Sequence, residues 1–246
     1  MARVIAVANQ KGGVAKTTTV AALAAAWAER GRKVLAADLD PQGSLTYSMG
    51  FEPDDIEPTI HDVLAGRTPI GDTILTSEEG FELVPSNIDL AGAEAYLLSR
   101  TAREYALKEA LDDVLERYEI AVLDCPPSLG VLTINALTAA DQVLIPMQAE
   151  ALSHRGVGQL LGTIEDVRRL TNPSLRIVGL LPTMFDGRTR HARETIDAVG
   201  KEFDLTVLPP IRKSIRFAEA PAVGMSILGS APAIRVRPPT ASWPRH

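Results

Sequence analysis

Asn9-Gln10-Lys11-Gly12-Gly13-Val14-Ala15-Lys16-Thr17-Thr18-Thr19 is the stretch whose reading decides the rest of the chain. An apolar run, Val4-Ile5-Ala6-Val7-Ala8, precedes it, and a small-residue run, Val20-Ala21-Ala22-Leu23-Ala24-Ala25-Ala26-Trp27, follows it. The order is strand, glycine loop, helix. A loop in that setting turns successive backbone N–H groups inward at the positive end of a helix, so it cradles phosphate. Lys16 is placed to reach terminal phosphates, and Thr17 to put its hydroxyl on Mg²⁺. The competing reading is a glycine-rich turn whose lysines serve solubility; a strand and a helix on the correct sides speak against it.

The generic P-loop pattern asks for Gly just before that lysine, where Ala15 stands, and for Gly or Ala six residues before it, where Gln10 stands. What remains is more specific: Lys11-Gly12-Gly13-Val14 upstream of Lys16-Thr17-Thr18. This resembles the deviant Walker A loop of the ParA/MinD group of ATPases, whose usual form has Gly at the place of Ala15.

Working outward, 246 residues suffice for one large α/β domain or two small ones. The apolar content of 46% is enough for a full core, and with only 4% aromatic residues it is carried by Ala, Leu, Val and Ile. That suits a sheet covered by helices. A net charge of -6 argues against DNA binding by bulk charge but leaves room for a local basic face. The one cysteine, Cys125, excludes a disulfide framework and a CxxC metal site. The chain opens directly into a strand without a signal-peptide core, and no stretch reaches the ~18 uninterrupted apolar residues of a membrane span. The expectation is a cytoplasmic protein.

Gly31 predicts the stop of the first helix. Val34-Leu35-Ala36-Ala37 predicts a buried strand that ends in Asp38-Leu39-Asp40-Pro41-Gln42-Gly43. Acids at the C-terminal edge of a parallel strand lie where open α/β sheets bind ligands, although Asp-Pro and Gln-Gly are also plain turn formers. Thr59 caps a predicted helix over Ile60–Leu64. Phe81 to Pro85 reads as a strand, Asp89 to Leu98 as a helix, and Arg103 to Tyr118 as a longer amphipathic helix. Glu119 to Asp124 is the next strand, closed by Asp124-Cys125-Pro126-Pro127; such an acid holds Mg²⁺ through water in P-loop proteins. Cys125 reads most simply as a small buried residue. Further strands are predicted at Val143 to Met147, Leu175 to Leu181 and Leu205 to Leu208, with helices over His154 to Leu170 and Arg188 to Phe203. The alternation predicts a doubly wound, mostly parallel α/β sheet flanked by helices. Positive charge collects at Arg188, Arg190, His191 and Arg193, and again at Arg212, Lys213 and Arg216. Basic residues at a helix N-terminus do not serve the helix dipole, so another role is invited beside that of a solvated face.

Three ordered motifs carry the resemblance further: the loop, Asp38-Leu39-Asp40-Pro41-Gln42-Gly43, and Asp124-Cys125-Pro126-Pro127-Ser128-Leu129-Gly130. With Ala218-Glu219-Ala220-Pro221 they make residues 1 to about 229 similar to a ParA/Soj partition ATPase domain. The resemblance implies an ATP-sandwich homodimer with Gly12 at a close interface and Lys11 crossing to the partner's nucleotide. It implies Gly12, Gly13, Val14, Ala15, Lys16, Thr17, Thr18 and Pro209 around ATP, and Thr17, Asp38 and Asp124 around Mg²⁺. Asp40 would orient the attacking water, with Lys11 and Lys16 as its catalytic companions. Arg188 and Arg216 would bind double-stranded DNA without sequence preference, and a ParB-type protein would be the partner, on the nucleoid. The nitrogenase iron protein type needs two cysteines per subunit, and the MinD type a C-terminal membrane helix. The tail Ala231-Pro232-Ala233-Ile234-Arg235-Val236-Arg237-Pro238-Pro239 cannot form that helix; residues 230–246 read as a disordered tail or as the product of a reading-frame change in the gene, a departure from the helix with which relatives usually finish. Ala15 keeps one rival alive: an ATP-holding pseudoenzyme that acts as a DNA- or partner-binding module.

Overall fold

The computed structural model describes residues 2–148, 153–186 and 190–230. Seven strands form one sheet: β1 (Arg3–Val7), β2 (Val34–Asp38), β3 (Leu75–Thr76), β4 (Glu82–Val84), β5 (Ile120–Asp124), β6 (Gln142–Gln148) and β7 (Arg176–Thr183). Their order is β3-β4-β2-β5-β1-β6-β7, parallel except for β3 at the edge. The helices are α1 (Lys16–Ala28), α2 (Ser44–Ser48), α3 (Ile60–Leu64), α4 (Leu90–Ser99), α5 (Ala106–Asp112), α6 (Val131–Ala139), α7 (Ser153–Leu170), α8 (Arg190–Glu202), α9 (Arg216–Glu219) and α10 (Ile227–Ser230).

The central strands read as unbroken apolar runs because both of their faces are covered. Successive side chains point to opposite faces. Ile5 and Val7 of β1, Val34 and Ala36 of β2, and Val122 of β5 pack with Val20, Ala21, Ala24 and Ala25 of α1. Ala6, Leu35, Ala37, Ala121 and Leu123 pack on the other side with residues of α4, α5, α6 and α7, among them Leu97, Leu107, Leu137 and Leu160. The alanines of α1 have no bulk to hold the helix away from the sheet, and Ala24, Ala25 and Ala26 are all buried.

Register brings the site together. Asp124 ends β5 opposite Val7 of β1 on one side and opposite Asp38 of β2 on the other. Three strand ends therefore open onto one edge, the carboxyl edge where open α/β sheets bind ligands.

Local expectations hold where a named physical signal carries them. Thr59 caps α3 in a reciprocal capping box with Asp62. Gly31, at φ 74, closes the turn after α1. Three differ. The helix expected over Arg103 to Tyr118 is α5 flanked by single 3₁₀ turns at Arg103–Tyr105 and Leu115–Arg117. Asp112 and Asp113 sit where the helix dipole disfavours acids, and Val114 leaves helical geometry at φ -124. The expected last strand is reduced to isolated bridges, Leu180↔Val207 and Phe185↔Arg212. Pro209-Pro210 lies between them and has no N–H to extend a ladder. Helix α6 carried no sequence signal because almost every position is buried, so no polar stripe marks a period of 3.6. Arg188 lies outside the described residues, as does the tail beyond Ser230, which itself belongs to α10.

Candidate active site

The loop between β1 and α1 is pinned at both ends by buried polar side chains. Asn9 donates its amide to the Pro146 carbonyl of β6 at 2.6 Å and accepts the Lys11 N–H at 3.0 Å. Thr183, closing β7, donates its hydroxyl to the Val14 carbonyl at 2.9 Å. Between these anchors Gly13 (φ 71) and Ala15 (φ 64) both take the left-handed conformation. Such residues turn consecutive N–H groups toward one side, the arrangement of an anion nest. Ala15 is also the N-cap of α1 and offers no side-chain acceptor, so the first N–H groups of the helix keep no side-chain cap. A Ser, Thr, Asp or Asn cap would add about 1 kcal/mol to the helix but would occupy the donors.

Lys16 is buried and reaches back to the Lys11 carbonyl at 3.2 Å. Burial holds its ammonium below the usual lysine range, and the charges of Asp124, Cys125 and Asp40 pull it back up. Thr17 and Thr18 are half-buried in the first turn, and Thr19 is spent on the Ala15 carbonyl at 2.7 Å. Gly12 and Gly13 are exposed, and a Cβ on Gly12 would lie 3.9 Å from Pro127, so no steric need inside this chain demands that glycine. Lys11 borders a surface cleft of about 420 Å³ with Pro127, Gln148, Arg155 and Gln159.

The two acids that share a register position differ in their surroundings. Asp38 accepts the Asp40 N–H at 3.1 Å and both the N–H and the hydroxyl of Thr46 at 2.9 Å. Burial nevertheless pushes its carboxyl up to about 6. Asp124 is fully buried, and neither of its carboxylate oxygens has a hydrogen-bond partner. Burial and then the Asp38 charge hold it well above the usual carboxylate range; the Thr17 hydroxyl and the Lys16 ammonium oppose them, the hydroxyl without closing a bond. Orphaned buried carboxylate oxygens are rare in folded chains and point to an absent ion or water. Among the described residues no group of three or more His, Cys, Asp or Glu is placed to hold a metal alone. An Mg²⁺ site completed by phosphate oxygens and water, with one hydroxyl and one carboxylate from the protein, has this composition.

Asp40 is half-buried and accepts the Gln42 N–H at 3.0 Å. Pro209 is exposed, on the segment that runs beside β7. Arg212, Lys213 and Arg216 are exposed around the start of α9, away from the residues just described in sequence but on the same chain segment as Pro209. Cys125 is a free buried thiol pushed up by burial, so it is a packing residue. Asn9, Thr46, Ser86 and Thr183 were not singled out by sequence; only Asn9, a polar residue closing an apolar run, had a visible signal.

A parallel sheet whose first βα turn is a phosphate-type nest, with a buried lysine and an unpartnered acid facing it, defines a P-loop nucleotide-binding fold. Residues 2–177 match the family model described as an AAA domain. The sporulation initiation inhibitor protein Soj of Bacillus subtilis is 44% identical over 93% of this chain and 91% of its own length. The chromosome partitioning protein ParA of Myxococcus xanthus is 41% identical over 92% of this chain and 81% of its own. A crystal structure described as cobyrinic acid a,c-diamide synthase from Mycobacterium smegmatis, with ADP and magnesium bound, superimposes with a TM-score of 0.85 at 51% identity, covering 95% and 94% of the two chains. The chain belongs to the ParA/Soj family of P-loop ATPases, within the ParA/MinD group.

Proposed function

We propose that this chain is a partition ATPase that dimerises around ATP·Mg²⁺, binds duplex DNA without sequence preference, and answers to a ParB-type partner on the nucleoid. The observation that carries the nucleotide half is the bare, buried Asp124 beside Lys16 and Thr17. Mg²⁺, when bound, neutralises charge on the β- and γ-phosphates. Thr17 and Asp124 are the groups to hold it. Asp38, already engaged by three donors, supports it from behind. The left-handed loop and Lys16 bind and orient the phosphates, and Asp40 orients water, which is the positioning that phosphoryl transfer needs. Exposed Gly12 leaves the loop approachable by a second copy, whose Lys11 would cross to the shared nucleotide.

The DNA half rests on Arg212, Lys213 and Arg216, exposed together on a chain whose net charge is -6. Contacts of this kind go to phosphates and carry no base readout. Arg188 joins them as a proposal from sequence alone. Among the described residues no helix is long and apolar enough to cross a membrane.

The amide-forming activity named for the Mycobacterium smegmatis protein fits less well. An amidation that draws ammonia from glutamine through a cysteine nucleophile needs a thiol that ionises, and Cys125 is buried and pushed up. The pseudoenzyme reading has one observation in its favour, the left-handed Ala15.

The test is DNA binding by Asp40→Ala, which should hold ATP unhydrolysed. With ATP it should bind unrelated duplexes equally and lose affinity steeply with salt; with ADP it should not bind. Arg216→Ala in the same background should weaken DNA binding about tenfold and leave ATP affinity unchanged. DNA affinity indifferent to nucleotide would overturn the reading.

A further inference from the structure

Asp40 is held by a closed ring of hydrogen bonds that reaches into two other elements. Asp38 Oδ1 accepts the Asp40 N–H at 3.1 Å. Asp38 Oδ2 accepts the Thr46 hydroxyl at 2.9 Å. That same Thr46 oxygen accepts the Ser86 N–H at 2.9 Å. The Ser86 hydroxyl then donates to the Asp40 carbonyl at 2.8 Å, which closes the ring. Asp38, Thr46 and Ser86 are each fully buried.

The ring clamps the Asp40 peptide from both sides: its N–H through Asp38 and its C=O through Ser86. The carboxylate of Asp40 is left on the loop's open side, near enough to Lys16 and Asp124 for its charge to act on both. Thr46 lies on α2, and Ser86 follows β4, the strand that pairs with β2. Gly43 lets these parts meet: at φ 59, a Cβ there would stand 2.9 Å from the Ser86 carbonyl and 3.0 Å from Pro53. A loop closed by Asp40-Pro41-Gln42-Gly43 alone would be a surface turn with freedom at its tip. Tied through two hydroxyls to a neighbouring strand, it has one position.

We propose that Thr46 and Ser86 are positioning residues for ATP hydrolysis: their hydroxyls fix the Asp40 backbone so that its carboxylate is presented to the nucleotide loop. The inference rests on the role given to Asp40 above. A misplacement of about an ångström in such a group costs up to ~100-fold in rate while binding is largely kept. Ser86 acts on Asp40 directly, and Thr46 acts on it through Asp38 and Ser86.

The test uses the full chain with Ser86→Ala, Thr46→Val, Thr46→Ser and Asp40→Ala, each measured for single-turnover ATP hydrolysis, ATP affinity and Tm. Ser86→Ala is expected to slow hydrolysis about tenfold, and Thr46→Val more, since it breaks two bonds of the ring. ATP affinity should stay within about twofold of the parent. Thr46→Ser keeps a hydroxyl that both donates and accepts and should restore the rate to within about threefold. The discriminating measurement is the conservative pair: a rate lost in Thr46→Val and returned in Thr46→Ser, with ATP affinity unchanged in both, marks the hydroxyl and not the packing of the side chain. If Asp40→Ala abolishes hydrolysis while Ser86→Ala and Thr46→Val turn over like the parent, the inference falls and the reading of Asp40 stands. A loss in Thr46→Val that Thr46→Ser does not restore overturns it as well, because the hydroxyl would then not carry the effect. Parental rates in Asp40→Ala bring down both.

Discussion

Asp38 and Asp124 occupy equivalent places: each ends a central parallel strand, each is fully buried, and they are partners in register. Yet Asp38 is surrounded by donors from Thr46 and Asp40, and Asp124 has no hydrogen-bond partner. A buried acid with its donors supplied by the chain belongs to the architecture. One left bare carries an energetic cost in the ligand-free protein, and such a cost persists where the group serves something that arrives later. The difference separates an acid that shapes the Asp40 loop from an acid reserved for a cation.

The strongest way to break that comparison is to neutralise each acid in turn. Asp124→Asn should lower ATP hydrolysis with Mg²⁺ by about 10²–10³-fold. The same substitution removes an uncompensated buried carboxylate, so the ligand-free protein should gain roughly 1 kcal/mol in unfolding free energy. Asp38→Asn should do the reverse to stability, losing about 1–3 kcal/mol because the new amide N–H₂ meets the donors of Thr46 and Asp40. Denaturant unfolding without nucleotide, paired with turnover in Mg²⁺, checks both. Stability changes of the same sign would mean that the two acids are interchangeable.

A smaller effect follows from titration. The Asp38 carboxyl is pushed up to about 6, from 3.8 in an unpaired setting, and Asp124 moves the same way. Between those values the unfolded chain has released the proton and the folded chain still holds it. The contribution of Asp38 to the stability of the ligand-free protein therefore falls as pH rises through roughly 4 to 6, by about 3 kcal/mol at most. Below that window the contribution is complete; above it, it is lost. From pH 4 to 7 the melting temperature of the parent should fall relative to that of Asp38→Asn and to that of Asp124→Asn. Parallel curves for all three would show that neither carboxyl is displaced.

The sheet, the glycine loop and both acidic strand ends were legible because each is written in a short local run: apolar residues of strand length, then a polar or glycine-rich terminus. Lys16, Thr17, Asp38, Asp40 and Asp124 all stand at such junctions. The anchors were not legible because they pair across the chain. Asn9 meets Pro146 over 137 positions, Thr183 meets Val14 over 169, and Ser86 meets Thr46 over 40. No periodicity marks a single serine or threonine chosen for a distant carbonyl or N–H. The helix α6 hid for the opposite reason, being buried almost all round, and the basic patch was visible only as composition.

The smallest expected effect concerns the loop itself, where Gly13 and Ala15 share a left-handed backbone but only one of them adopts it freely. Ala15 stands at φ 64 and ψ 36, a conformation in which Cβ crowds the following carbonyl and costs about 1–2 kcal/mol. The strain is held in place by Thr183 on the Val14 carbonyl and by the Thr19 hydroxyl and N–H on the Ala15 carbonyl. All three bonds are made to carbonyl oxygens, so the N–H groups that face phosphate stay available. Binding of ATP·Mg²⁺ should therefore survive alanine, while catalysis, which is more sensitive to a fraction of an ångström, should be slow. Ala15→Gly relieves the crowding and should raise kcat about three- to tenfold with a change in Kd of less than about twofold. Single-turnover hydrolysis and nucleotide titration on the two variants decide it. Equal kcat values would show that the surrounding bonds already hold alanine in the productive position, and the reading of this chain as an inactive ATP-holding module would lose the one observation that favours it.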